Sequence, residues 1–194
     1  MPRHRLVLIL ACILGLAVTA GLAWRAGVFK SQASAAVGGP FQLVNQDGVP
    51  TTEKALKGKW SAVFFGFTYC PDVCPGTLQG LSAATDQLGP KAKDLQIVFI
   101  SIDPARDTPE QMRLYLSNFD PRIQGFTGTP ETVAQAAKAY RAYYEKVGEG
   151  DGYTMNHSLT VYLMGPDGKF RTAVAYGLGP DKSTTIIEDA MARG

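Results

Sequence analysis

Two short apolar runs in the middle of the chain predict buried β-strands. Residues 61–67 and 95–102 are almost entirely apolar, and neither run alternates regularly with polar residues. Runs of this length are typical of central strands that are covered on both faces of a sheet. Between them, leucines recur along one side of residues 76–88, which predicts a helix that connects the two strands.

Two Thr-Pro-Glu sequences predict where the next helices begin. Threonine is a favoured N-cap residue, and proline fits the first helical turn because its missing N–H has no partner there in any case. We therefore expect one helix from Thr108 to about Phe119 and another from Thr129 through Ala142.

The C-terminal part of the chain predicts a hairpin and a last helix. Residues 158–164 and 170–176 flank a Gly-Pro-Asp-Gly turn, and residues 182–192 follow as a helix. The order of these strands and helices predicts a thioredoxin-like α/β sandwich, with a central mixed sheet flanked by helices. In such a sheet, functional sites lie beyond the carboxyl ends of the central strands.

The N-terminal region predicts a membrane anchor. Residues 6–23 form an apolar or small run of 18 residues without a charge, preceded by Arg3 and Arg5, which is long enough to span a bilayer. A cleaved signal peptide is the alternative, but its apolar core is shorter and its cleavage site follows at once. Here the nearest clear Ala-x-Ala match lies at residues 33–35. We therefore favour a retained single-pass anchor, with the residues after it outside the cytoplasm.

These patterns divide the chain into three parts. Residues 1–25 are the cytoplasmic tip and anchor, residues 26–40 are a flexible linker, and residues 41–194 form one thioredoxin-like domain. The net charge of +2 is misleading, because the first thirty residues hold four basic and no acidic side chains, which leaves 15 basic and 17 acidic residues in the rest. We therefore expect no nucleic-acid partner. Cys12 is interpreted as a small apolar residue of the anchor, with a lipoprotein cysteine as the alternative.

The most informative motif is a pair of cysteines directly after the first predicted strand. Cys70 and Cys74 are four residues apart, and one helical turn would place their Cα atoms about 6 Å apart, close enough for a disulfide or a shared metal ion. Pro75 suits the first helical position, which would put Cys74 at the helix N-terminus and favour its thiolate. A thiolate is both a nucleophile and a metal ligand, so redox chemistry and metal binding both remain open.

A purely structural disulfide is the simplest alternative for an exported domain with two cysteines. Structural disulfides gain most by closing long loops, whereas a bridge from Cys70 to Cys74 would enclose three residues. The spacing therefore favours a chemical role.

His157 is the third candidate site residue. It is the only histidine after the predicted anchor, and it directly precedes the first hairpin strand. A surface loop histidine is the alternative interpretation. In a thioredoxin-like sheet, however, this loop lies beside the cysteine loop, at the place where thiol oxidoreductases carry a cis-proline. No proline occurs between Pro130 and Pro166, which favours a metal ligand over thiol exchange.

The Phe67–Pro75 motif, the Ser101–Pro109 segment and the lone His157 resemble the Sco (SenC, PrrC) copper-binding proteins. This resemblance covers about residues 40–194. Members of that family are membrane-tethered, thioredoxin-like proteins that assist assembly of the binuclear copper centre of cytochrome c oxidase. The resemblance implies that Cys70, Cys74 and His157 are copper ligands.

The resemblance also implies a location and partners. We expect the domain in the periplasm, tethered to the bacterial inner membrane, or on the intermembrane-space side of the mitochondrial inner membrane. The expected partner is the copper-site subunit of the oxidase, and another periplasmic copper carrier or a thiol reductant is a further candidate.

The donor types agree with copper. Two thiolates and an imidazole suit Cu(I), or Cu(II) with a fourth ligand. Zinc is the competitor, but structural zinc sites have four protein ligands. Asp72 and Asp103 are candidates for a fourth ligand. The alternative for Asp103 is that, with Arg106 and Asp107, it fixes the loop beside the site through hydrogen bonds and a salt bridge.

The sequence thus predicts a membrane-anchored copper metallochaperone, a carrier rather than an enzyme. The alternative is a thiol–disulfide oxidoreductase that acts on cysteines of the oxidase copper-site subunit through the same redox-active pair, Cys70 and Cys74. His157 discriminates between the two, because thiol exchange does not require it. A peroxiredoxin-like peroxidase fits poorly, since Thr68 lies two rather than three residues before Cys70 and the expected proline is absent.

Overall fold

The computed structural model describes Ile13 and residues 37–194. The chain divides into two units, residues 1–35 and 36–194, and the account below concerns the second. Apart from Ile13, the predicted anchor lies outside the described residues, as does most of the predicted linker. In the described part of the chain, no helix has both the length and the apolar character needed to cross a membrane.

A seven-stranded mixed sheet forms the centre of the domain, in the order β2-β1-β5-β4-β3-β8-β9. Its strands are β1 (Gln42–Asn45), β2 (Pro50–Thr52), β3 (Trp60–Gly66), β4 (Leu95–Ser101), β5 (Ile123–Thr127), β8 (Thr160–Met164) and β9 (Phe170–Ala175). Strands β3, β4 and β5 are parallel, whereas β8 pairs antiparallel with β3, and β1 with β5. A separate two-stranded hairpin consists of β6 (Tyr144–Val147) and β7 (Thr154–His157).

Four α-helices complete the domain: α1 (Val73–Gln87), α2 (Pro109–Leu116), α3 (Pro130–Tyr140) and α4 (Gly179–Arg193). Every residue of β3 and β4 is buried, as expected for central strands covered on both faces. This is the predicted α/β thioredoxin-like arrangement of a central mixed sheet flanked by helices, and the fold prediction is confirmed.

The helix starts show how local sequence sets the elements. The Thr108 side chain accepts a hydrogen bond from the Gln111 N–H at 3.2 Å, and Thr129 caps α3 in the same way. Both Thr-Pro-Glu predictions are therefore confirmed. The prediction for α1 was wrong by three residues: the helix begins at Val73, because Asp72 rather than Cys74 occupies the N-cap position, and Pro75 is its third residue.

Candidate metal and redox site

Cys70 and Cys74 lie at the carboxyl end of β3. The strand ends at Gly66, a short loop carries Cys70, and Cys74 is the second residue of α1. Both cysteines are free thiols. The backbone N–H of Cys74 donates to the Cys70 sulfur at 3.3 Å, so the start of the helix orients the first thiol toward the second.

Gly66 allows the Cys74 sulfur to lie directly against the end of the strand. A Cβ atom at this position would be 2.7 Å from Cys74 Sγ and 2.6 Å from the ring of Phe99, closer than such atoms pack. The sequence analysis missed this residue. The signal was a glycine at the end of an otherwise large apolar run.

His157 approaches the sulfurs from the other side. It is the last residue of β7, and its ring meets the rings of Phe64 and Phe67 edge-on, with centroids 5.9 Å away in each case. Its Nδ1 lies 2.9 Å from the Ser158 carbonyl oxygen. A carbonyl oxygen only accepts, so Nδ1 carries the proton. Nε2 therefore has its lone pair free, 3.6 Å from Cys74 Sγ.

The three candidate atoms converge. Cys70 Sγ, Cys74 Sγ and one ring nitrogen of His157 all lie within 4.8 Å of one another, and among the described residues no other group of three His, Cys, Asp or Glu side chains does so. Bonds of about 2.3 Å to sulfur and about 2.0 Å to nitrogen are typical of transition metals in proteins. One ion could therefore bind all three donors after small side-chain shifts.

The two thiols differ in acidity. The pKa of Cys70 is lowered to about 4, because the Cys74 thiol donates a hydrogen bond to its sulfur and His157 adds another. The pKa of Cys74 is raised by the same donated hydrogen bond and by burial. Cys70 is thus the more acidic thiol. The expectation that Cys74 is the favoured thiolate was wrong, because the helical N–H groups favour the sulfur outside the helix.

The loop after β4 holds the cysteine loop in place. The buried carboxylate of Asp107 accepts hydrogen bonds from the Thr68 N–H at 3.1 Å, the Thr68 hydroxyl at 2.7 Å and the Ser101 hydroxyl at 2.6 Å. Burial raises the pKa of Asp107. Arg106 Nε donates to Asp103 at 2.6 Å. These bonds confirm the alternative in which the three residues fix this loop.

The other donors proposed from the sequence lie outside the three-atom group. Both carboxylate oxygens of Asp103 accept hydrogen bonds, from Arg106 and from the Tyr153 hydroxyl. Asp72 is exposed. Asp103 is therefore engaged within the protein, and Asp72 is left as the solvent-facing carboxylate next to the motif.

The sequence profile of the family described as SCO1/SenC matches residues 29–192 of this chain. The chain belongs to the SCO1/SenC family. It is 46% identical over 142 residues to "Protein SCO1 homolog 1, mitochondrial" of Arabidopsis thaliana, a match that covers 72% of this chain and 42% of that relative. The chain spans about half the length of the curated SCO1 and SCO2 relatives that it matches.

Solved structures of SCO1/SenC proteins are similar to this chain. A structure of Arabidopsis thaliana ScoI with copper bound is 41% identical, with a TM-score of 0.78, and the match covers 82% of this chain and all of the other. A structure of Bradyrhizobium japonicum ScoI with copper bound is 43% identical, with a TM-score of 0.73, covering 80% of this chain and 99% of the other. The predicted family resemblance is confirmed.

Proposed function

We propose that this SCO1/SenC protein is a copper metallochaperone that assists assembly of the binuclear copper centre of cytochrome c oxidase. Cys70 Sγ, Cys74 Sγ and His157 Nε2 hold the copper ion as cargo. The observation that carries the proposal is the convergence of these three atoms within 4.8 Å. The copper-bound structures of relatives at 41% and 43% identity support it.

The donor set suits copper better than its competitors. Thiolates are soft ligands that select Cu(I), and imidazole suits copper in either oxidation state. A structural zinc site would need a fourth protein ligand, and in the described residues only three donors converge. A site with three protein ligands leaves room for an exchanging fourth ligand, as a cargo ion requires.

The oxidation state of the cysteines controls loading. When Cys70 and Cys74 form a disulfide, the pair loses two electrons and two protons to an external oxidant, and neither sulfur remains a thiolate donor. Copper loading therefore requires the reduced pair. A thiol reductant or another periplasmic copper carrier is the expected upstream partner, and the copper-site subunit of the oxidase is the acceptor.

The N-terminal region completes the proposal. Residues 1–25 act as a single-pass anchor, residues 26–40 as a linker, and residues 41–194 as the copper-binding domain. The domain lies in the periplasm at the bacterial inner membrane, or on the corresponding side of the mitochondrial inner membrane. Tethering raises the effective concentration of the domain near a membrane-bound acceptor without any new contact.

A thiol–disulfide oxidoreductase is the second candidate. The lowered pKa of Cys70, which falls to about 4, would keep a thiolate available for exchange with cysteines of the oxidase copper-site subunit. His157 favours the carrier, because its free Nε2 faces the sulfurs and thiol exchange has no use for a metal ligand there.

Copper stoichiometry of the reduced, full-length chain tests the proposal. We expect one copper per chain by native mass spectrometry, and none retained after Cys70→Ser and Cys74→Ser are combined. Cys12→Ser is the matched control, because it removes the remaining cysteine, and it should bind copper as the wild type does. Copper uptake that survives the double substitution, or that fails with Cys12→Ser, would exclude this site.

A further inference from the structure

One arginine contacts both segments that carry the candidate ligands. Arg106 lies in the loop between β4 and α2, and its side chain is 16% exposed. The centre of its guanidinium is 4.6 Å from the ring centroid of Tyr69 and 3.6 Å from that of Tyr153. Tyr69 directly precedes Cys70, and Tyr153 directly precedes β7, which ends at His157.

Hydrogen bonds close this cluster into a ring. Arg106 Nη1 donates to the Tyr153 carbonyl oxygen at 3.0 Å, and Arg106 Nε donates to Asp103. The Tyr153 hydroxyl donates to the other oxygen of Asp103 at 2.6 Å. Tyr153 is thus held by its backbone, its ring and its hydroxyl, all from the loop after β4.

The hairpin that carries His157 depends on such contacts. Strands β6 and β7 pair only with each other in the described residues, and most of their residues are exposed or partly exposed, with Met155 as the buried exception. A two-stranded hairpin alone is marginally stable in water. Its position relative to the cysteine loop must therefore come from side-chain contacts with the rest of the domain.

The chemistry of the cluster is specific to arginine. A guanidinium is planar, so it stacks on aromatic rings while its fixed N–H groups reach two acceptors in different directions. A lysine ammonium would keep the positive charge but could not stack on Tyr69 and Tyr153 while also bonding the acceptors at Asp103 and Tyr153.

We propose that Arg106 is a positioning residue that fixes His157 relative to Cys70 and Cys74 by joining Tyr69 and Tyr153 through one guanidinium. This inference rests on the proposed copper function. Arg106 acts through His157 rather than on the metal, so it sets how much the imidazole contributes to copper affinity and leaves the dithiol contribution unchanged.

A double-mutant cycle tests this role in the reduced, full-length chain. Cu(I) affinity is measured anaerobically by competition with a chromophoric chelator for the wild type, Arg106→Lys, His157→Ala and the double variant. Outer residues that orient metal ligands typically contribute about 10- to 100-fold to affinity. We expect Arg106→Lys to weaken Cu(I) binding about tenfold in the wild type and to have no further effect when His157 is already alanine.

Two further variants separate positioning from folding. Arg122→Lys changes an arginine that pairs with Asp86 and Asp120 instead, and it should leave affinity unchanged. Tyr153→Phe keeps the stacked ring but removes the bond to Asp103, so it should weaken binding less than Arg106→Lys. The visible spectrum of bound Co(II) should shift for both Arg106→Lys and Tyr153→Phe, since the imidazole geometry changes.

The outcomes are distinct. Unchanged affinity in Arg106→Lys and Tyr153→Phe, beside a weakened His157→Ala, overturns the positioning role alone. An equal loss in the presence and absence of His157 also overturns it, because the effect would then be a general structural one. A wild type that binds no copper through its cysteines overturns the proposed function and this inference together.

Discussion

At the scale of single residues, the site depends on close packing between a strand end and a sulfur. Cys74 Sγ occupies the space that a side chain at Gly66 would need. This explains why the strand that reads as a continuous apolar run ends in the smallest residue. The cysteines and the histidine could be predicted from their types and spacing, whereas Gly66 could not, because its role follows from a contact between residues that are neighbours only in the folded chain.

Gly66→Ala should therefore destabilise the protein and disturb the thiol pair. The new Cβ atom overlaps Cys74 Sγ and the Phe99 ring, and overpacking of this kind typically costs about 1–3 kcal/mol. Gly80→Ala is the matched control. Gly80 is inside α1 with open space at its Cβ position, so alanine there should stabilise the helix by up to about 1 kcal/mol. Urea unfolding of both variants measures the difference, and equal effects would contradict the packing account.

At the scale of elements, prediction worked where one pattern filled a whole element. Strands β3 and β4 are uniformly apolar and buried, and α2 and α3 begin at capped Thr-Pro-Glu sequences. The sequence analysis missed β5, whose apolar residues are interrupted by Gln124 and Gly125. It also missed the β6–β7 hairpin, because its short, largely exposed strands carry no alternating pattern.

The loop after β4 gives a prediction about pH. Burial raises the pKa of Asp107 in the folded protein, so its contribution to stability is greatest below the unfolded pKa of about 3.9 and is lost as pH rises through the folded value. Asp107→Asn stays neutral at every pH. The stability of this variant relative to wild type should therefore increase as pH is raised from about 4 to 7.

Asp120→Asn supplies the control with the opposite sign. Hydrogen bonds from Arg122 lower the pKa of Asp120, so this carboxylate stabilises the protein above its unfolded pKa, and that stability is lost as pH falls through the folded value. Relative to wild type, Asp120→Asn should lose stability as pH rises. Urea unfolding of the copper-free, reduced chain at several pH values measures both trends. Parallel trends in the two variants would show that the burial of Asp107 does not govern its titration.

At the scale of the whole molecule, the fold joins residues that are far apart in sequence. His157 follows Cys74 by 83 positions, and the two meet because β8 pairs with β3 and so brings the end of β7 to the cysteine loop. The sequence could predict this meeting only by way of the predicted topology. The contacts of Tyr69 and Tyr153 with Arg106 were beyond prediction, because they require side-chain positions.

Oxidation of the chain should release copper. A disulfide between Cys70 and Cys74 removes both thiolate donors and leaves His157 alone, which cannot hold copper tightly. Mass spectrometry can count disulfides and copper in the same sample after titration with a mild oxidant. Stoichiometric copper in the fully disulfide-bonded chain would place the ligands elsewhere.

Cells test the oxidase role and the tether together. Cells that lack the protein should lose copper-dependent oxidase activity, and added copper should restore part of it, because the defect is one of supply. Loss of a thiol reductase should respond to small thiols instead. An exported version without residues 1–25 should need a higher expression level for the same activity, because the tether raises effective concentration. Normal oxidase activity in copper-poor medium with Cys70→Ser and Cys74→Ser would contradict the carrier function.

X-ray absorption at the copper edge of the loaded, full-length chain tests the central claim most directly. We predict scattering from two sulfur atoms at about 2.3 Å and from an imidazole nitrogen at about 2.0 Å, with the imidazole signal lost in His157→Ala and the sulfur signal retained. A spectrum with no sulfur neighbours, or an imidazole signal that persists in His157→Ala, would contradict the assignment of Cys70, Cys74 and His157 as the copper ligands.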